Sequence, residues 1–334
     1  MPKKTISLLT AAVMLLSLFI FPPGMALAED GATWDGTVYE INEGSGTEAE
    51  PYIIDTAGQL AFLAQKVNEL NAVYESANYS LTADLDLSGH NWVPIGNQAT
   101  TSSGFQGYFD GNGHIISGMS AEHGQSAGLF GVIRGATLKN LRVSGDASAV
   151  TTSTTGFVRS GGVVGIAENS IIINCYHSGN VISDTKQQNF NASGSGGIAG
   201  SISYSDIINC YHSGNVSANN PNFGDKPGRR PNAGGVVGIE NGGKVEYCYW
   251  DNNDTITITP PNAYGIGSAT DTVANVVYFS GTPPTLGSEI TVGGTNTNDL
   301  LTALNANLEE IKDNTLYKWQ AVPGDCPTFD SVRW

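Results

Sequence analysis

Between residues 127 and 250 the apolar positions fall in short β-branched runs separated by Gly and Asn, and the runs repeat. Gly161-Gly-Val-Val-Gly165 leads to Ile173-Asn-Cys-Tyr-His-Ser-Gly-Asn-Val181, and Gly196-Gly-Ile-Ala-Gly200 leads to Ile208-Asn-Cys-Tyr-His-Ser-Gly-Asn-Val216. A third copy runs from Gly234-Gly-Val-Val-Gly238 to Glu246-Tyr-Cys-Tyr-Trp250, and a divergent one from Ala127-Gly-Leu-Phe-Gly131 to Lys139-Asn-Leu-Arg-Val-Ser-Gly145. The equivalent positions Leu141, Cys175, Cys210 and Cys248 are separated by 34, 35 and 38 residues. A period of that size predicts a solenoid. Helical repeats need longer amphipathic stretches, whereas runs such as Ile171 to Ile173 between Gly and Asn read as strands joined by tight turns. The fold expected is all-β, a right-handed parallel β-helix with short helical caps. Each coil should hold three strands: one at Gly-Val-Val-Gly, one across Ile-Asn-Cys-Tyr and one after Gly-Asn-Val.

Strand alternation assigns the columns. Leu138, Ile172, Ile207 and Val245 should face in, while Lys139, Ile173, Ile208 and Glu246 are mixed and should face out. Asn140, Asn174 and Asn209 interrupt the alternation, so a bend with stacked amides is expected there. The Cys column then points inward. Stacked parallel Cβ atoms are poorly placed for bridging, so buried free thiols are favoured over a disulfide. The spacing matches no Cys-x-x-Cys zinc site. Arg142, Tyr176, Tyr211 and Tyr249 follow on the outer side. The three tyrosines are either a packing stripe that stabilises the sheet face or an exposed platform for sugar rings or a partner protein. His177, His212 and Trp250 point in or lie in the turn, and packing is the plainer role for the two imidazoles than metal binding.

An open stack needs caps. Residues 56–70 read as an amphipathic helix with Leu60, Leu63, Ala64 and Val67 on one stripe and Thr56 and Gln59 as a capping box. Leu301, Leu304, Leu308 and Ile311 mark a second helix near the C-terminus. Tyr79 to Leu87 alternates as one half-buried strand, and Phe105 to Met119 supplies the first full coil. The organisation expected is a signal peptide at 1–28, an N-terminal capping segment at 29–100, a β-helix at 101–295 with repeats at 127–145, 161–181, 196–216 and 234–253, and a C-terminal capping helix and tail at 296–334.

The signal peptide changes the compartment. Lys3 and Lys4 precede an apolar run from Ile6 to Phe21, then Pro22, Pro23 and Gly24, and Ala26-Leu27-Ala28 offers a cleavage site before Glu29. The apolar run is short for a membrane anchor, and no later segment is long enough to span a bilayer. Cleavage moves the net charge from −16 to −18. A chain so acidic repels nucleic acid and anionic membranes. The one basic cluster, Lys226, Arg229 and Arg230, reads as solvated loop charge.

These residues resemble the GLUG-motif repeat proteins, named for a Gly-Leu-x-Gly signature. The matching stretches are Ala127 to Gly131, Gly161 to Gly165 with Asn174-Cys-Tyr176, and Gly196 to Val216. A leading segment is also similar: Gly46 to Tyr52, Leu81 to Leu87, Trp92-Val-Pro-Ile-Gly96 and Phe109-Asp-Gly-Asn-Gly-His114. The resemblance covers roughly residues 44–250. It implies bacterial extracellular proteins, many attached to the surface, with adhesive or unassigned roles. Similar repeats accompany zinc peptidases that cleave immunoglobulin A1, but this sequence holds no His-Glu-x-x-His motif. It also departs from the family in showing no surface anchor and in carrying His where small residues are usual.

The function expected is therefore a secreted, non-catalytic, adhesin-like protein. It would bind a glycan or a host or cell-surface protein through Tyr176, Tyr211 and Tyr249, with no cofactor and no metal. The alternative is a β-helical polysaccharide lyase or glycoside hydrolase. Asp84, Asp86 and Asp110 are its candidates, as calcium ligands or as an acid–base pair. Their convergence beside a Lys or Arg would favour that reading.

Overall fold

The computed structural model describes residues 33–97, 103–151, 157–185, 193–220, 231–251, 255–259, 276–279, 305, 308, 311, 314–320 and 328–333. Strands account for about half of the chain, and parallel sheets wind it into a β-solenoid of about four turns. The signal-peptide residues and the basic cluster at 226–230 lie outside the described residues.

One coil shows how the sequence makes a rung. Val158–Gly161 forms the first side, and Val164–Glu168 with Ile171–Ile173 the second. Tyr176–Ser178 and Val181–Thr185 lie in the third sheet. The next coil repeats this in register: Ser160 pairs with Ser195, Ile172 with Ile207, Tyr176 with Tyr211 and Val181 with Val216. Ile-Asn-Cys-Tyr is thus a corner, not the single strand its apolar content suggested. Asn140, Asn174 and Asn209 take φ of 51°, 54° and 51°, the left-handed region that Asn enters more readily than β-branched residues do. The inward column Leu138, Ile172, Ile207 and Val245 is buried in all four coils.

The solenoid begins earlier than residue 100. Tyr52–Ile54 pairs in parallel with Asn78–Leu81, and that strand pairs with Tyr108–Asp110. The supposed capping segment therefore supplies strands to the same sheet. The alternating run from Tyr79 to Leu87 is broken into two strands, Asn78–Leu81 and Leu85–Asp86, which belong to different sheets. Alternation persists across the break, with Tyr79, Leu81, Leu85 and Leu87 all buried, because both faces surround one core.

Helix α1, Ala57–Asn68, packs Leu60, Leu63, Ala64 and Val67 into that core. Thr56 and Gln59 form the expected capping box: Gln59 N donates to Thr56 Oγ1, and Thr56 N donates to Gln59 Oε1. A short helix α2, Ala72–Glu75, follows and had no signal in the apolar pattern. No helix occurs among the described residues of 103–279. Near the C-terminus, Asn305, Leu308 and Ile311 are helical. Leu308, Leu316 and Trp319 pack with Ile173, Tyr176, Tyr211 and Tyr249, on the flank of the solenoid.

Candidate functional site

The tyrosine column points away from the core, as alternation requires, and it is covered. Tyr176, Tyr211 and Tyr249 are 4%, 2% and 3% exposed. The rings of Tyr176 and Tyr211 stack with centroids 5.2 Å apart and planes 6° apart. The expected exposed platform is corrected: the C-terminal segment lies over it, and the three tyrosines form a second apolar core with that segment.

The asparagine corner anchors the same segment. Asn209 Nδ2 donates to Asn174 Oδ1 at 3.0 Å, Asn174 Nδ2 to Asn140 Oδ1 at 2.9 Å, and Asn140 Nδ2 to Asp110 Oδ1 at 3.0 Å. The amide nitrogens have a second hydrogen, and the segment takes it. Asn140 Nδ2 donates to Thr315 O and Asn174 Nδ2 to Tyr317 O, while Tyr317 N donates to Asn140 Oδ1. Asn140 and Asn174 therefore use both donor and acceptor capacity, which is what a buried amide requires. Lys139 adds a donor to Thr315 Oγ1 at 2.7 Å.

Removing one ring should loosen this cover. Tyr211→Ser is expected to cost about 3 kcal/mol, the range for emptying a buried aromatic site. Limited proteolysis should then cut near residues 314–320 while the coil strands at 158–185 and 193–216 stay resistant; unchanged resistance at 314–320 would show that the column is not what holds the segment.

The three aspartates do not converge. Asp84 accepts from His114 Nδ1 and Ile115 N, both at 3.0 Å. Asp86 accepts from Thr33 Oγ1 and Ser88 N, and these hydrogen bonds, Ser88 first, hold its carboxyl below the usual range. Asp110 is buried, ends the asparagine ladder, caps Asn112 N at 2.9 Å and lies 3.3 Å from Lys139 Nζ. Asp110 thus has a base beside it, yet both groups are held in the ladder and its cover. No cluster of three or more His, Cys, Asp or Glu arranged for a metal is found among the described residues.

Cys175, Cys210 and Cys248 are buried, unbridged and directed inward. Burial, the dominant cause, pushes the Cys175 and Cys210 thiols well up, so they do not form nucleophilic thiolates in the fold. His177 and His212 are also fully buried and face into the coil. Burial pushes His177 down to about 4 and His212 well below its ordinary value.

The space for those rings comes from the Gly-Gly pairs. A Cβ on Gly162 would lie 2.0 Å from His177 Cγ, one on Gly197 2.1 Å from His212 Cγ, and one on Gly235 2.3 Å from Trp250 Cγ. Sequence reasoning missed this pairing, although each ring follows its glycine at the same fifteen-residue interval.

The exposed polar groups form a separate array. Asn180 donates from N and Nδ2 to Asp146 Oδ1, Asn215 Nδ2 donates to Asn180 Oδ1, and Thr255 donates from N and Oγ1 to Asn215 Oδ1. Beside this ladder Ser148, Ile182 and Ser217 stand in register on the outer face of the sheet.

The geometry defines a parallel β-solenoid with a sealed flank and an open polar face. No family model matches the chain, and no solved structure matches it. Two curated proteins are similar over part of it. A protein named as a Gly-rich membrane protein of Evansella cellulosilytica is 37% identical over 106 residues, which cover 31% of this chain and 12% of that protein. Halomucin of Haloquadratum walsbyi is 31% identical over 172 residues, covering 41% of this chain and 2% of halomucin. The chain thus spans only a small part of these relatives. No described helix is long and apolar enough to cross a membrane.

Proposed function

We propose that this chain is a secreted, non-catalytic surface-interaction protein of the GLUG-repeat type, adhesin-like, and that it binds an extended glycan along its open polar face. One observation carries the reading: the groups best suited to chemistry are engaged in the architecture. Asp110 ends a buried amide ladder, Asp84 and Asp86 hold turns and a chain crossing, and the imidazoles and thiols are enclosed. The similarity to a protein named as a Gly-rich membrane protein and to halomucin supports a surface role.

Because the tyrosines are covered, the contact surface moves to Asn180, Asn215 and Thr255 with Ser148, Ile182 and Ser217. This face repeats at the strand spacing of about 4.8 Å and mixes amides, hydroxyls and one aliphatic group. Such a row suits a polymer of hydroxyl-bearing rings. The charge of −18 that signal cleavage leaves (13 − 31) favours neutral or basic polymers over acidic ones. The test is retention of the purified chain on a panel of immobilised neutral and amino-sugar polysaccharides. Asn180→Leu with Asn215→Leu should weaken retention at least tenfold while the circular dichroism spectrum stays unchanged. Equal retention of the double variant would exclude this face, and no retention on any polymer would remove the glycan reading.

A further inference from the structure

We propose that Tyr204 is a sugar-stacking site, separate from the open polar face, that takes one ring of a neutral pyranose chain. It stands at the turn equivalent to the one between Val164–Glu168 and Ile171–Ile173 in the preceding coil. Glu168 pairs with Arg134 and Ser203, and Ile171 with Thr137 and Asp206, so Gly135, Asn169 and Tyr204 stack at that turn. Ser203 and Ser205 pair with Asn241 and Gly243, which adds Gly242 from the next coil.

In that order Gly135, Asn169, Tyr204 and Gly242 take φ of 65°, 49°, 51° and 80°, all in the left-handed region. Glycine and asparagine enter it at little cost, but a bulky aromatic residue does not. Packing returns little of that cost, because Tyr204 is 72% exposed. Tyr247 takes the same conformation at the asparagine corner, but its side chain is partly buried. Gly242 makes room for the Tyr204 ring: a Cβ there would lie 3.1 Å from Tyr204 Cδ1 and 3.2 Å from Cε1. A strained aromatic residue with little packing, beside a glycine that clears space for it, points to a ligand.

The surroundings of the ring set the class of ligand. Asn169 and Asn241 are exposed in the coils on either side, and Ser203 is partly exposed next to it. Arg134 and Glu168, in the same outer column as Ser203, form an ion pair and so leave no net charge between them. Ile171, at 42% exposure, adds an aliphatic neighbour from the preceding coil.

A protein interface needs a contiguous apolar centre, and one phenol with one isoleucine is too small for that. A nucleobase would also stack on the ring, but its phosphates need clustered cations, and this chain is acidic. A pyranose fits both features. Its C–H face matches the phenol ring in size, and the hydroxyls at its rim suit amides and hydroxyls such as those of Asn169, Asn241 and Ser203. The turn belongs to a different sheet from the strands of the open polar face, so the site does not rest on the reading of that face.

The test is NMR of the chain with carbon-13 in its tyrosine rings, titrated with cellohexaose and with chitohexaose. The Tyr204 signals, identified by their loss in Tyr204→Asn, should shift on addition of sugar. Tyr204→Asn should weaken binding at least tenfold, and Tyr204→Trp should keep it. The Asn variant should also melt about 2 °C higher, because Asn suits the turn; a tyrosine kept for packing would leave it melting lower. Asn180→Leu with Asn215→Leu should leave the Tyr204 shift in place, so this site and the open polar face fail separately. Unmoved Tyr204 signals with both sugars, undiminished binding by Tyr204→Asn, a lower melting temperature of that variant, or loss of the shift in the double leucine variant would each overturn the proposal.

Discussion

Replacing Cys210 by Asp is expected to unfold the chain or cost at least about 4 kcal/mol, measured by denaturant titration. The thiol sits in the middle of the solenoid at 0% exposure, between Cys175 and Cys248, with the backbone oxygens of Ile208 and Ile172 and the backbone N–H of Cys175 as its polar neighbours. The oxygens cannot donate to a carboxylate, the sulfurs are weak donors, and one backbone N–H does not replace the water that a carboxylate loses on burial. The carboxylate would either stay charged without adequate partners or take up a proton at a cost in its own titration. Cys210→Val should cost only about 1 kcal/mol, since volume is nearly kept and no bridge is lost. A valine variant as unstable as the aspartate one would mean that the column holds something other than packed thiols.

Gly162→Ala is the second large effect, expected at about 3 kcal/mol or more. The three atoms nearest to the added methyl all belong to His177, at 2.0 to 2.4 Å, and His177 is confined by the coils on both sides. A double-mutant cycle separates this from a backbone effect. His177→Ala removes the ring, so the double variant should be more stable than the sum of the single losses predicts, by 1 kcal/mol or more on the usual scale of contact couplings. Strict additivity would show that the glycine is needed for its backbone rather than for the ring.

The coil was legible from the sequence because two periods coincide in it. The strand period places Ile172 and Cys175 inside and Ile173 and Tyr176 outside, and the repeat stacks each upon its copy, so a column can be read for consistency. The Asn corner followed from the break in that alternation. What covers the outside was not legible. Thr315 and Tyr317 reach Asn140 across 175 and 177 residues, and the segment is not part of any repeat, so no periodicity connects it to the tyrosines. Outward was therefore read as exposed. The boundary at residue 100 failed for a related reason: Tyr52–Ile54 and Asn78–Leu81 lack the Gly and Asn signature yet join the same parallel sheet. The Gly–ring pairs were present in the sequence as a constant interval, but two faces of a coil meet across its interior only once the coil is closed.

The functional account rests on binding without bond cleavage. The most direct measurement is the chain length of a polysaccharide that retains the protein, followed during prolonged incubation with calcium present, together with the appearance of new reducing or unsaturated ends. Unchanged length and no new ends, with the protein still bound, is the result predicted by carboxylates committed to ladders and turns. Progressive shortening that disappears in Asp110→Asn would contradict it and would return Asp110 and Lys139 to a catalytic role.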